Sequence, residues 1–187
     1  MPSPLPAVVR IGRMVEDDIA PIVAMDPSAG MQPQSLRAEL QRPWARCWVA
    51  REGGGEPVAY LTAWHVADEL LVMNLATRPD RRRQGLARTL MSTAIEYARG
   101  HAVSRVFLEV RRSNSPAIDL YRSFGFFPIG VRARYYGDGE DAVEMARDVE
   151  PTTGEIVPRQ GEVRLEPTDT PASPDARGWA RRTRRRN

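Results

Sequence analysis

A short basic turn between a strand-like run and a helix-like run is the feature that most constrains this chain. The turn reads Arg-Arg-Gln-Gly-Leu-Ala over residues 82–87, after an apolar run at 70–77 and before an amphipathic pattern at 86–99. A helix start presents unpaired backbone N–H groups and the positive end of the helix dipole, and a glycine leaves room for an anion. We therefore predict that the turn binds the pyrophosphate of a soluble cofactor. The residues predicted to bind it are Arg82, Arg83, Gln84, Gly85, Leu86 and Ala87.

The other periodicities along the chain predict a mixed α/β fold. Strands are predicted where apolar residues alternate or run together, and helices where they recur every three or four residues. The predicted strands are 8–14, 46–51, 58–66, 70–77, 105–111, 126–134 and 142–149, and the predicted helices are 16–25, 33–42, 86–99 and 116–124. Strands alternate with helices in the second half, which favours a sheet with a partly parallel half.

The length of 187 residues fits one α/β domain with additional sequence at its C-terminal end. We predict that the domain covers residues 8–149, after a flexible N-terminus at 1–7. Residues 150–187 are rich in proline and poor in large apolar side chains, which is typical of disorder. The sequence therefore predicts a single domain with a disordered Pro/Arg-rich tail, of which only a short segment such as 156–157 packs on the domain.

Composition argues against several classes of protein. Cys47 is the only cysteine, so no disulfide can form within the chain, and its place in an alternating run indicates a small core residue. No run is long and apolar enough to cross a membrane, and the first residues lack the basic segment of a signal peptide. We therefore expect a cytoplasmic protein. The sequence contains no metal-ligand spacing, phosphate-binding P-loop or nucleophile elbow, and we expect no metal.

Two further blocks accompany the turn, which itself fits the pattern Arg/Gln-x-x-Gly-x-Gly/Ala. The first block consists of residues 107–111, Asn114 and residues 117–126. The second consists of residues 134–136 and 140–142. With these blocks the chain resembles, over about 8–149, the GNAT family of acetyl-CoA-dependent N-acetyltransferases. It looks like the bacterial RimI-type branch, which acetylates the N-terminal alanine of a small-subunit ribosomal protein. The resemblance implies the GNAT fold, acetyl-CoA as co-substrate, and a protein N-terminus as acceptor.

Acetyl transfer to an amine is helped by a base for the amine and an acid for the departing thiolate. Glu109 lies in an otherwise apolar strand, and the resemblance implies that it is the general base; the alternative is a structural ion pair with Arg111 or Arg132. Tyr121 lies in a helical stripe with 117, 120 and 124. The resemblance implies that its phenol is the general acid, whereas the alternative is a core tyrosine.

The resemblance also implies a path for the rest of the cofactor. The pantetheine arm is expected to run along Leu75, Ala76 and Thr77, at the end of the strand before the turn. Asn114 and Tyr121 are expected to contact the cofactor as well. For Asn114 the alternative is a capping role at the start of the following helix.

Acceptor recognition is the least constrained part of the prediction. Tyr135 and Tyr136 are predicted to line a slot for the peptide, with Glu140 and Asp141 attracting a basic peptide; hairpin packing is the alternative. The alanine-acetylating branch has a Phe-Pro-Trp-like turn between its first two helices, whereas residues 25–31 here read Met-Asp-Pro-Ser-Ala-Gly-Met. Lysine side chains or a small-molecule amine therefore remain alternative acceptors. A catalytically silent acyl-CoA-binding module is a further alternative.

The C-terminal end carries a concentrated positive charge. Residues 177–187 contain six arginines and no acid. Two interpretations stay open for this segment: a solvated charged end, or a weak contact with RNA or the ribosome surface.

Overall fold

The computed structural model describes residues 9–25, 31–150, 153 and 155–157. These residues divide into two compact units, one formed by the described residues up to 104 together with 153, the other by 105–150 with 155–157. The predicted flexible N-terminus, most of the unusual 25–31 loop and nearly all of the predicted tail lie outside the described residues. The predicted domain boundaries therefore stay predictions.

The first unit contains a four-stranded antiparallel sheet and three α-helices. Its strands pair in the order β1-β2-β3-β4. The strands are β1 (Val9–Arg13), β2 (Ala45–Glu52), β3 (Pro57–Val66) and β4 (Glu69–Thr77), and the helices are α1 (Ile19–Met25), α2 (Pro33–Gln41) and α3 (Leu86–Gly100). A 3-10 turn at Glu16–Asp18 leads into α1.

The sheet of the first unit is covered by apolar helix faces. The first seven residues of β3, from Pro57 to Ala63, are all buried, as expected of a strand with both faces packed. One cluster packs α1 and α2 against the sheet through Met14, Ile19, Ile22, Met25, Leu36, Val49 and Tyr60. The buried side of α3 consists of Leu86, Leu90, Met91, Ala94, Ile95 and Ala98, at the three- and four-residue spacing of an amphipathic helix.

A buried ion pair ties the 3-10 turn to the sheet. Asp18, only 5% exposed, receives two hydrogen bonds from Arg51 of β2, with Nη1–Oδ1 and Nη2–Oδ2 distances of 2.6 and 2.8 Å. The same carboxylate accepts the Val15 backbone N–H at 2.7 Å. This hydrogen bonding raises the pKa of the Arg51 guanidinium. The pair thus satisfies a charge that would otherwise be costly to bury.

The second unit has β7 at the centre of three antiparallel strands, in the order β5-β7-β6. Its elements are β5 (Arg105–Arg111), α4 (Ser115–Ser123), β6 (Phe127–Arg132) and β7 (Ala142–Asp148). Residues 106, 108 and 110 of β5 are buried, which leaves Phe107, Glu109 and Arg111 on the other, half-exposed face. Arg147 of β7 donates from Nη1 to the Phe124 carbonyl at 2.7 Å, so a buried cation satisfies the C-terminal end of α4.

A segment after β7 packs on the second unit. Ile156 forms an isolated bridge with Val149, and Val157 donates its N–H to the Asp148 carbonyl at 3.0 Å. Ile156 also lies on Gly125, where a Cβ would come within 2.6 Å of its Cδ1 atom. This is the short segment that the sequence predicts to pack on the domain.

The mixed α/β fold class predicted from the sequence is confirmed, and the predicted strands and helices are present within two residues of their predicted bounds, with one exception. The first helix, predicted over 16–25, begins at Ile19, because residues 16–18 form a 3-10 turn. The apolar stripe predicted on α4, with residues 117, 120, 121 and 124, is only partly correct. Tyr121 is buried, but its buried neighbour is Ile118, whereas Leu120 and Phe124 are only half-buried. Within each unit the strand pairings are antiparallel.

Replacing Asp18 by alanine is expected to lower the free energy of unfolding by about 3 kcal/mol, because Arg51 then loses its carboxylate in a largely buried position. The measurement is urea unfolding followed by circular dichroism. The control is Glu16→Ala, which breaks a surface pair with Arg37 whose side chains are 59% and 53% exposed, and which should cost less than about 1 kcal/mol. Equal losses in the two variants would contradict the structural role of the buried pair.

Candidate active site

The predicted pyrophosphate turn lies between β4 and α3 in the first unit. A 3-10 turn at Pro79–Arg81 follows β4. The Arg78 N–H donates to the Val58 carbonyl of β3 at 2.9 Å, and Arg81 pairs with Glu52 of β2 at 3.0 Å. At the helix end, Thr89 donates from its backbone N–H and its hydroxyl to the Gly85 carbonyl, at 3.0 and 3.2 Å. Both ends of the turn are therefore fixed to regular elements.

The backbone of the turn has the form of an anion site. Gly85 is the N-cap of α3 with φ +82°, a left-handed conformation that favours glycine, and a Cβ there would meet nothing within 4 Å. Arg83 is left-handed as well, with φ +64°. Left-handed residues at a helix start turn successive N–H groups toward a common centre. Arg82, Arg83 and Gln84 are exposed beside this backbone, so the turn fits a pyrophosphate in shape and charge.

A β-bulge in β4, which the sequence did not reveal, precedes the residues predicted to hold the pantetheine arm. Thr62 pairs with Asn74 and Ala63 with Val72, so Met73 is the extra residue of β4. The Asn74 amide donates to the buried Thr62 hydroxyl at 3.1 Å, which fixes the register beyond the bulge. A bulge bends a strand and increases its twist. Leu75, Ala76 and Thr77, all half-buried, follow this bend, and β4 is the last strand of the first unit's sheet.

Glu109 belongs to a hydrogen-bonded charge cluster in the second unit. Arg132 of β6 donates from Nη1 to Glu109 Oε1, so the ion pair that the sequence left open as an alternative is present. Glu109 also interacts with the Tyr135 hydroxyl and raises its pKa, and the Arg132 guanidinium lies 4.7 Å from the centre of the Tyr135 ring. Glu144 of β7 pairs with Glu109 in the strand register. The Glu109 side chain is still 22% exposed, so a reactant can reach it.

The two tyrosines predicted to bind substrate are organised around this cluster. Their rings meet edge to face at 5.2 Å, and Arg111 lies 4.0 Å from the centre of the Tyr136 ring. The pKa of Tyr135 is raised to about 12. The main cause is desolvation of the Tyr135 hydroxyl, and the interaction with the Glu109 carboxylate and its charge add to it. Burial, followed by the charge of Glu109, also raises the pKa of Tyr136. Both phenols are therefore neutral hydrogen-bond donors at pH 7.

The acidic residues after these tyrosines already have partners within the chain. Glu140 accepts the Ser113 N–H at 2.9 Å and an Arg111 hydrogen bond at 2.7 Å, and these contacts lower its pKa to about 2. Asp141 accepts the Arg134 N–H at 2.9 Å. The carboxylates thus hold the loop between β6 and β7 in shape. This arrangement gives no support to the expectation that they attract a basic peptide.

Tyr121 and Asn114 lie at different places on α4. Asn114 is its N-cap and accepts the Ala117 N–H at 3.3 Å, so the capping alternative is correct, while its exposed amide remains able to meet a ligand. Tyr121 is only 7% exposed and packs against Phe126, with ring centres 6.0 Å apart. Burial, with a smaller effect of Tyr136, raises the pKa of Tyr121 to about 12.

The cysteine and the two histidines of the chain contact neighbouring side chains of the fold. Burial raises the pKa of Cys47 to about 11, so it is a thiol at pH 7 and a poor nucleophile. His65 contacts the Tyr97 hydroxyl at 2.8 Å, and His101 stacks on the Tyr97 ring. Among the described residues, no group of three metal-binding side chains occurs. None of the described helices is long and apolar enough to span a membrane.

Comparison with known proteins identifies the family of the chain. Residues 15–126 match the Acetyltransferase (GNAT) family. A protein of Bacillus subtilis (strain 168), provisionally named a [ribosomal protein bS18]-alanine N-acetyltransferase, is 40% identical over 144 residues, which are 74% of this chain and 93% of that protein. The N-alpha-acetyltransferase RimI of Mycobacterium tuberculosis is 35% identical over 121 residues, 62% of this chain and 74% of that protein.

A solved structure extends the likeness to three dimensions. The crystal structure of the ribosomal-protein-S18-alanine N-acetyltransferase from Escherichia coli matches with a TM-score of 0.69 and 30% identity, over 74% of this chain and 92% of that chain. The family and the enzyme class predicted from the three sequence blocks are confirmed. The chain belongs to the GNAT family of acetyl-CoA-dependent N-acetyltransferases.

Proposed function

We propose that this enzyme transfers the acetyl group of acetyl-CoA to a protein N-terminal α-amine, with the N-terminal alanine of a ribosomal protein as the leading acceptor. The observation that carries the proposal is the 40% identity to a bS18-alanine N-acetyltransferase across 93% of that protein. The acceptor chemistry agrees, because an α-amino group has a pKa near 8, and about a tenth of it is already neutral at pH 7. A cytoplasmic location, where ribosomal proteins are made, is part of the proposal.

In this proposal Glu109 is the general base. It takes a proton from the acceptor amine, directly or through one water, as the nitrogen attacks the thioester carbonyl. The hydrogen bond from Arg132 holds the carboxylate in place for proton transfer. The transfer is direct, without an acetyl-enzyme, and the protonated thiol of Cys47 fits this expectation.

Tyr121 is proposed to donate a hydrogen bond to the departing sulfur. With a pKa raised to about 12, its hydroxyl is protonated at pH 7. A thiol has a pKa near 8.5, so full proton transfer from such a phenol to a thiolate is uphill. Its contribution is therefore a hydrogen bond that stabilises the developing negative charge, with the final proton arriving from solvent.

The acetyl-CoA contacts that we propose are those that the sequence predicts. Arg82, Arg83, Gln84, Gly85, Leu86 and Ala87 hold the pyrophosphate, Leu75, Ala76 and Thr77 hold the pantetheine amides, and Asn114 and Tyr121 complete the contacts. Tyr135 and Tyr136 line the acceptor slot. The weak RNA or ribosome contact of residues 177–187 stays a prediction, since they lie outside the described residues.

The acceptor is tested by acetyl-CoA turnover on peptides that begin with Ala, Ser or Met, and on a blocked peptide with an internal Lys. We expect the Ala peptide to react fastest. Both Glu109→Gln and Tyr121→Phe should lower kcat by about 10²-fold on it, because each removes one proton-transfer or hydrogen-bonding group. The control variant is Tyr97→Phe, which removes a phenol that contacts His65 and Arg46 instead.

Other outcomes of this assay have distinct meanings. Turnover confined to the Lys peptide or to small amines would keep the family and overturn the proposed acceptor. Binding of CoA without any turnover would favour the silent binding module.

The turn is tested by Gly85→Ala. This change should raise the KM for acetyl-CoA by about tenfold or more, because the methyl group occupies the open space above the anion-binding backbone and strains a left-handed residue. The measurement is steady-state kinetics with varied acetyl-CoA, alongside thermal unfolding.

Gly54→Ala is the matched control for the turn. Gly54 has φ +78° and equally open surroundings, but lies in the hairpin between β2 and β3. The two variants should lose similar stability, about 1 kcal/mol. An equal rise in KM in both would argue against the pyrophosphate assignment.

A further inference from the structure

Two carboxylates face each other directly at the proposed base. Glu109 of β5 and Glu144 of β7 are register partners in antiparallel strands, so their side chains project from the same face of the sheet. Both are largely buried, with side-chain exposures of 22% and 13%. Like charges directly opposite one another are destabilising, so the arrangement needs a compensating cation or a functional reason.

Arg132 of β6 is that cation, and it contacts both acids. Its Nη1 donates to Glu109 Oε1, whereas its Nε lies 3.8 Å from Glu144 Oε1. The contact to Glu109 is thus the closer of the two. One arginine carries a single positive charge, so with both carboxylates ionised the three side chains would together carry one net negative charge.

Gly130 of β6 leaves room for the Glu144 carboxylate. Its register partner is Gly130, and a Cβ at that position would come within 2.6 Å of Glu144 Oε2. Gly130 is not in the left-handed region, so its backbone conformation does not require glycine. The absence of a side chain there leaves the space in which the second carboxylate lies beside Arg132 and Glu109.

We propose, on the basis of the proposed function, that Arg132 and Glu144 are positioning residues that act through Glu109. Arg132 holds the Glu109 carboxylate in place before the reaction. Glu144 supplies the second negative charge, which favours uptake of the proton from the amine. When Glu109 accepts that proton, the cluster of the three side chains becomes neutral and the repulsion between the carboxylates disappears.

Other groups of the second unit also face Glu109. Tyr135 and Tyr136 both interact with its carboxylate. Arg111, two residues along β5, pairs with Asp138 and Glu140, which leaves its charge locally matched. Arg132 and Glu144 are therefore the two charged side chains that the experiment changes.

The experiment compares the pH dependence of kcat/KM for wild type, Arg132→Gln, Glu144→Gln and the double variant on the Ala peptide. The acidic limb reports protonation of the base. In Arg132→Gln the charged form of Glu109 loses a neighbouring cation, so the acidic limb should move to higher pH by about one unit. In Glu144→Gln a neighbouring negative charge is lost, so the acidic limb should move to lower pH by a similar amount. The double variant should return toward wild type. Arg132→Lys, which keeps the charge, should shift the limb less than Arg132→Gln.

Asp148→Asn is the matched control. Asp148 is also a β7 acid paired with an arginine, Arg105, and its side chain is likewise 13% exposed. It lies four residues from Glu144, which is about 13 Å along a strand. This variant should leave the limb in place. Shifts of Arg132→Gln and Glu144→Gln in the same direction, or no shift in either, would overturn the proposal.

A second readout separates this proposal from the proposed function. Carbon-13 NMR of the glutamate carboxyls, with the Glu109 signal assigned by its loss in Glu109→Gln, follows the same titration without any acceptor. If Arg132→Gln and Glu144→Gln shift the Glu109 titration in opposite directions but the protein acetylates no peptide, the positioning roles are kept and the proposed function is overturned. If the Ala peptide is acetylated normally but neither variant moves the Glu109 titration, the proposed function is kept and the positioning roles are overturned.

Discussion

The turn from β4 into α3 is the constraint on which the rest of the proposed chemistry depends. It must begin on the sheet, where the Arg78 N–H bonds to Val58, and end as an open helix start capped by a residue without a side chain, Gly85. A phosphate held there has a defined position relative to the strand before it. The bulge at Met73 then bends that strand just before the residues expected to meet the pantetheine arm.

Much of this arrangement could be predicted from local sequence. The strand, basic turn and helix around Gly85 follow from apolar periodicity and from the glycine, and Asn114 followed by Pro116 indicates a helix start. The alternation of β5 likewise placed Glu109 on the face opposite its buried residues. These features depend on neighbours a few residues away, which is why the sequence reveals them.

Features that depend on pairing between distant strands could not be predicted in this way. The bulge at Met73 results from register with β3, and no residue type marks it. Glu109 lies opposite Glu144 because β5 pairs with β7. Glu109 contacts Arg132 rather than Arg111, and Arg132 belongs to β6, which lies on the other side of β7. Glu140 appeared available to a ligand because its partners, Arg111 and Ser113, lie at and just after the end of β5, far from it in sequence. The partner of Asp141 is the Arg134 backbone N–H, which no side-chain pattern reveals.

Gly125 has an additional consequence for the residues that follow β7. Its missing side chain leaves the notch in which Ile156 lies, and the Val157 N–H bonds to the Asp148 carbonyl. Ile156 and Val157 therefore lie beside the end of β7, next to the C-terminal end of α4. A glycine within the block that identifies the family thus also makes room for a side chain that comes after the last strand.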